Sequence, residues 1–229
     1  KCDYSVGDVV GRSVIYVSAG KMLGGNSAFA HIGTYREVDG EIIAEVAGQR
    51  HNPDPNFRTL YGSDTATINI RGRAQTHNAY SFEGGTSQAP GAVFRAVMKR
   101  LDDEDSPAAG TIGVGGIVNG LYSVHLRILD GVDGGLTGVM LLHDGRILGG
   151  DAFFYYLGSY TSAAGRWKGH LLNQEHTAST GQYPVFGGHE VGIGFSGTCD
   201  GDGAELEAIA LAGKRSLRLT AVLKLLEQA

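Results

Sequence analysis

The sequence has 229 residues, a formal charge of −5 and a pI near 5.9, which argues against a general nucleic-acid binder, since those present a basic stripe. Hydrophobic residues make up 42% and charged ones 19%, the balance of a globular chain, and no apolar run is long enough for a membrane-spanning helix. The 37 glycines come without a Gly-X-Y period and with only five prolines, which excludes collagen and a disordered linker and favours many turns in an all-β chain.

A displacement of 125 residues lays 14–101 over 139–226 without a gap, so the chain reads as a tandem duplication. In chain order, the first element is Asp3-Tyr4-Ser5-Val6, whose partner in the second copy is Tyr122-Ser123-Val124 at a displacement of 118. The first hairpin of copy one is therefore shorter by about seven residues, or part of it is missing from the sequence. Next comes GGNSAFAHIGTY at 24–35, which returns as GGDAFFYYLGSY at 149–160. In the second version Phe154, Tyr156, Gly158 and Tyr160 share one face, and Phe153, Tyr155 and Leu157 the other, so this strand is expected to be covered on both sides. Asp39-Gly40 and Asp144-Gly145 are the pairs a tight hairpin turn prefers.

Asn52-Pro53-Asp54-Pro55 leading into residues 56–61 predicts a short helix with proline in its first turn. The strand closing copy one places Ala92, Phe94, Ala96 and Met98 on a single face. Residues 102–118 then read as a linker, acidic at Asp102, Asp103, Glu104 and Asp105 and rich in Gly and Ala afterwards. In copy two, Tyr122, Val124, Leu126 and Ile128 alternate with polar residues, as do Leu217, Leu219, Ala221, Leu223 and Leu225 at the end. Each copy holds about eight strands, which a closed barrel accommodates without exposed edges; a sandwich is the alternative. The expected domains are 1–101 and 119–229.

The glycine-framed aromatic strand, the Arg50-His51-Asn52-Pro53 step, the Tyr61-Gly62 and Phe186-Gly187 pairs and Ala89-Pro90-Gly91 resemble the GrlR-like family, which includes negative regulators of type III secretion. The resemblance implies two consecutive eight-stranded, lipocalin-like antiparallel barrels, each with a short helix and an apolar interior, that regulate through protein contacts and not by catalysis. Copy two departs from the motif with Glu175-His176-Thr177-Ala178, and copy one lacks most of the aromatic cluster. Where a single-domain member would pair with itself, covalent duplication here would supply an intramolecular pseudo-dimer.

Chemical motifs are sparse. Gly113-Val114-Gly115-Gly116 is not set between a strand and a helix, and Asp200-Gly201-Asp202-Gly203 lacks the later carboxylates of a calcium loop, so no cofactor or metal is expected. His51 and His176 coincide in the repeat, each ending a strand, where a histidine serves either as a general base or ligand contact, or as a side chain fastening the strand end to the helix by hydrogen bonds. With Asn52 and Pro53 they form the candidate structural motif. Phe154, Tyr156, Tyr160, Trp167, Phe195 and Leu219 are large enough either to fill a barrel or to line an apolar ligand pocket. The four carboxylates at 102–105 either stay solvated or steer a basic protein partner such as a transcription regulator. The expected function is a non-enzymatic binding or regulatory protein that contacts a protein partner, possible modulation coming from a small apolar ligand. The alternative is a lipocalin-like carrier or a small barrel enzyme. Cys2 and Cys199 fall in different copies and form no disulfide framework, which points to a reducing cytoplasm.

Overall fold

The computed structural model describes residues 1–101, 107–130, 135–179 and 190–229. The chain divides into two compact units, Lys1–Asp102 and Asp103–Ala229. Unit one comprises β1 (Cys2–Val6), β2 (Val9–Ser18), β3 (Lys21–Gly25), β4 (Phe29–Val38), β5 (Glu41–Arg50), β6 (Thr65–Thr76), β7 (Ala79–Gly85) and β8 (Phe94–Lys99). Unit two comprises β9 (Gly120–Ile128), β10 (Gly135–His143), β11 (Arg146–Gly150), β12 (Phe154–Ala163), β13 (Arg166–Glu175), β14 (Val191–Cys199), β15 (Gly203–Ala212) and β16 (Arg215–Gln228). Each set forms an all-antiparallel closed barrel, β1 pairing with β8 in the first and β9 with β16 in the second. Closure leaves no free sheet edge.

Strands β3, β4 and β5 begin and end 125 residues before β11, β12 and β13. The turns that separate them share one backbone shape. Ala19-Gly20, Asp39-Gly40, Asp144-Gly145 and Ala164-Gly165 all have positive φ at both residues, the two-residue hairpin turn whose twist matches the flanking strands. Two of these turns carry no Asp-Gly signal, and their alanines adopt a conformation that costs about 1 kcal/mol outside glycine.

The expected helix after Pro53 does not form, and no helix occurs among the described residues. Residues 51–64 are turns and bends held by side chains. Pro53 and Pro55 bias the residues before them away from helical geometry. Asp54 Oδ1 accepts the Asn56 amide at 2.9 Å. The Arg50 guanidinium reaches the carbonyl of Phe57 at 3.1 Å and the carboxylate of Asp64 at 2.6 Å. The segment is thus organised around one arginine instead of a helical hydrogen-bond ladder.

Residues 110–117, expected within a linker, run beside β12 instead. The Gly113 amide donates to Ser162 O at 2.7 Å, the Ser162 amide to Thr111 O at 2.9 Å, and the Gly165 amide to Gly115 O at 2.7 Å. Ile112 and Ser162 form a parallel bridge, and Ile117 is buried in the core of barrel two. The cause is a length mismatch: β11 pairs with β12 only as far as Ser159, and this segment takes up backbone groups beyond that point. Gly110 approaches so closely that a Cβ there would lie 1.9 Å from Tyr160 O. The acidic residues Asp102–Asp105 lie outside the described residues.

Candidate functional site

Barrel one holds a cavity of about 80 Å3. Its wall is mostly apolar, including Met22, Val46, Ile70, Phe82, Phe94 and Met98 from five strands. The volumes of facing residues explain the hollow. Val46, Gly48, Ala66 and Ile70 line it, and the residues 125 places later are Leu171, Asn173, Val191 and Phe195, each larger. Leu60 and Tyr61, from the segment pinned by Arg50, pack against the same core and line the cavity. Arg50 also lies over the ring of Phe29, 4.3 Å from its centroid, which ties the segment to a wall residue.

Two polar side chains of the wall, Tyr4 and His31, are held by groups that are not part of the lining. Asn26 Nδ2 donates to Tyr4 Oη at 3.1 Å, and Ser13 Oγ lies 2.9 Å from His31 Nε2. The Tyr4 and His31 rings meet edge-on at 5.7 Å. Burial, and secondarily the charge of His51, lower the His31 pKa to about 4, and burial pushes the Cys2 thiol up to about 12, so both line the cavity uncharged at neutral pH. Arg58 and Asp64, which also line it, are paired with Asp8 and Arg50 and stand largely in solvent. Tyr61 differs from the other polar groups: its hydroxyl is buried with no hydrogen-bond partner, and burial raises its pKa.

Ser13 and His31 have the spacing of a nucleophile and its base, which sequence spacing alone gave no reason to pair. Their surroundings argue against that chemistry. Ser13 is 0% exposed, and its hydroxyl is shared with Tyr4 at 3.4 Å and Asn26 at 3.3 Å. A histidine held near 4 is a poor base at neutral pH.

The sequence-predicted pocket residues sit in the other barrel. Tyr160, Trp167, Phe195 and Leu219 are 1%, 2%, 7% and 1% exposed and belong to one core cluster, so they fill the interior of barrel two. Tyr160 meets Trp167 edge-on at 6.2 Å, and Trp167 meets Phe195 at 4.6 Å. Tyr156 packs against this core from a half-buried position, and Phe154 is half-buried at the start of β12. The structure therefore brings four of the six together as packing, while the cavity lies among residues the sequence did not mark as a pocket.

His51 and His176 fasten strand ends. His51 Nε2 lies 3.0 Å from Asn26 O, and its backbone amide donates to Ala28 O at 2.9 Å. His176 repeats this with Asp151 O at 3.4 Å and Phe153 O at 2.8 Å. Asn52 Nδ2 adds a bond to Ser27 O at 3.2 Å. The target is the turn before β4 or β12, not a helix. The preceding residue pins the following loop with opposite polarity in the two copies: Arg50 collects carbonyls, whereas Glu175 Oε1 accepts the amide and hydroxyl of Ser179 at 2.8 and 2.9 Å.

No family model and no curated protein matches the sequence. Among solved structures, a "putative outer membrane protein" of Bacteroides fragilis is similar at 9% identity over 98% of this chain and 96% of that chain, with a TM-score of 0.25. A likeness this loose says nothing of location or function.

Proposed function

We propose that this chain is a non-enzymatic, lipocalin-like binding protein in which barrel one holds a small, mainly apolar ligand and barrel two is a filled structural partner. The observation that carries the reading is the largely apolar cavity lined in part by Leu60 and Tyr61, with other lining positions where the duplicate copy carries bulkier side chains. Binding is favoured over catalysis because Tyr4, Ser13, Asn26 and His31 are committed to one another. The three methionines supply a test. Met22 and Met98 line the cavity, whereas Met140 sits in the core of barrel two. Xenon enters dry apolar cavities. Under xenon pressure, the methyl resonances of Met22 and Met98 should shift while that of Met140 stays. Three unmoved resonances would remove the ligand site.

The regulatory half of the reading rests on the GrlR-like motifs and the Asp102–Asp105 run. Replacing the four carboxylates with Asn and Gln should abolish capture of a basic protein partner in a pull-down; undiminished capture would exclude that surface.

A further inference from the structure

We propose that the barrel-one cavity selects a compact, uncharged molecule of about four heavy atoms at most, carrying one hydrogen-bond acceptor that the Tyr61 hydroxyl meets. This rests on the ligand-site reading above and specifies its chemistry.

Three observations converge on it. Size comes first: the cavity measures about 80 Å3, and a cavity of about 150 Å3 holds benzene. Charge comes second. The wall offers no free ionic partner, since Cys2 and His31 are neutral and Arg58 and Asp64 are paired at the solvent side. An ion brought inside would lose its hydration without compensation. The third is Tyr61, whose hydroxyl is buried without a partner while the residue lines the cavity. A buried hydroxyl left unsatisfied is costly, and an acceptor on a ligand would offset that cost. The duplicate shows that it can be dropped: the residue 125 places later is Phe186.

Acetone and isobutene are suitable probes, since they share shape and size and differ only in a carbonyl oxygen against a methylene. Acetate supplies an anion of similar size. Each is titrated into the full chain, following the Met22 and Met98 methyl resonances, with Met140 as the internal control. Acetone should bind about 3- to 10-fold more tightly than isobutene, the worth of one hydrogen bond, and acetate should not bind. Tyr61→Phe, which installs the residue of the second copy, should abolish the preference and leave isobutene binding unchanged.

Equal binding of the two neutral probes, a xenon shift with binding of neither, a preference that survives Tyr61→Phe, or binding of acetate would each overturn the proposal while leaving the ligand site standing. If neither neutral probe nor xenon moves Met22 or Met98, the site itself is wrong and the proposal falls with it.

Discussion

Asn26 and Asp151 hold the same turn in the two barrels. Asn26 Oδ1 accepts the amides of Ala28 and Phe29, both at 2.9 Å, and Asp151 Oδ1 accepts those of Phe153 and Phe154 at 2.7 and 2.8 Å. The other side-chain atom differs in kind. Asn26 Nδ2 donates to the hydroxyl of Tyr4, whereas Asp151 Oδ2 accepts from Tyr156 at 3.2 Å. Around them the partners have changed together. Ser13 and His31 of barrel one become Gly138 and Tyr156 in barrel two, and a Cβ at Gly138 would lie 2.7 Å from the Tyr156 hydroxyl. One architecture thus tolerates either a neutral amide or a carboxylate, and the carboxylate carries a cost: burial pushes Asp151 up to about 6 despite its hydrogen bonds.

Asp151→Asn should therefore stabilise barrel two at pH 7. The amide oxygen keeps both backbone bonds, and Tyr156 can accept from Nδ2 as Tyr4 does from Asn26. The expected gain is on the order of 1–2 kcal/mol, read as a higher denaturation midpoint with unchanged slope. A loss of stability would mean that the charged form is needed.

The two barrels should respond to acid with opposite signs. His31 titrates near 4 in the folded state against 6.5 ordinarily, so between those values the unfolded chain binds a proton that the folded barrel refuses. Its contribution is full above about 6.5 and is lost as pH falls towards 4. Asp151 titrates near 6 against 3.8, so the folded barrel holds its proton longer. Its contribution is full below 3.8 and is lost as pH rises towards 6. Both groups are half-buried, which limits each effect to roughly 1–2 kcal/mol. Thermal melts at pH 7 and pH 4.5, followed through Met22 and Met140, should show barrel one weakening on acidification while Asp151→Asn removes an opposing trend in barrel two. Identical pH profiles for wild type and Asp151→Asn would refute the second half.

Much of this fold was legible in the sequence because it is written twice. The 125-residue displacement aligned turn glycines and aromatics, and period-two alternation gave the inward faces of β8, β9 and β16 that the cores contain. The cavity was less visible. Large aromatics in GGDAFFYYLGSY drew notice to copy two, yet large residues fill space, and a hollow is marked by what is small: Gly48 and its cross-strand partner Ala66. Comparing residue volumes between the copies would have located it. The helix expected at 52–61 failed for a different reason, since its signal was local whereas Arg50 and Asp64 organise the segment from its two ends.

Emptying barrel two should reproduce the hollow of barrel one. Phe195 packs against Trp167, and barrel one has Ile70 at the same place. Phe195→Ile should cost about 1–3 kcal/mol by urea denaturation and make Met140 respond to xenon. The reverse change in barrel one, Ala66→Val, adds methyl groups facing the cavity; it should gain up to about 1 kcal/mol and reduce the xenon shift at Met22. An unresponsive Met140 in Phe195→Ile would mean that the interior collapses around the smaller side chain.

The segment before β9 should behave as part of barrel two. Ile117 is 2% exposed within its core, and the Ile117 amide donates to Ser162 Oγ at 2.8 Å. Ser162 in turn pairs with the backbone of residues 111–113. A free linker would tolerate any small residue at position 117. Packed as it is, Ile117→Ala should destabilise unit two by about 2–4 kcal/mol, the cost of a cavity in a core, and leave unit one unaffected. Unfolding followed at Met140 and Met22 separates the two: a shift confined to Met140 supports the assignment, and no shift at either would return residues 107–118 to the status of a tether.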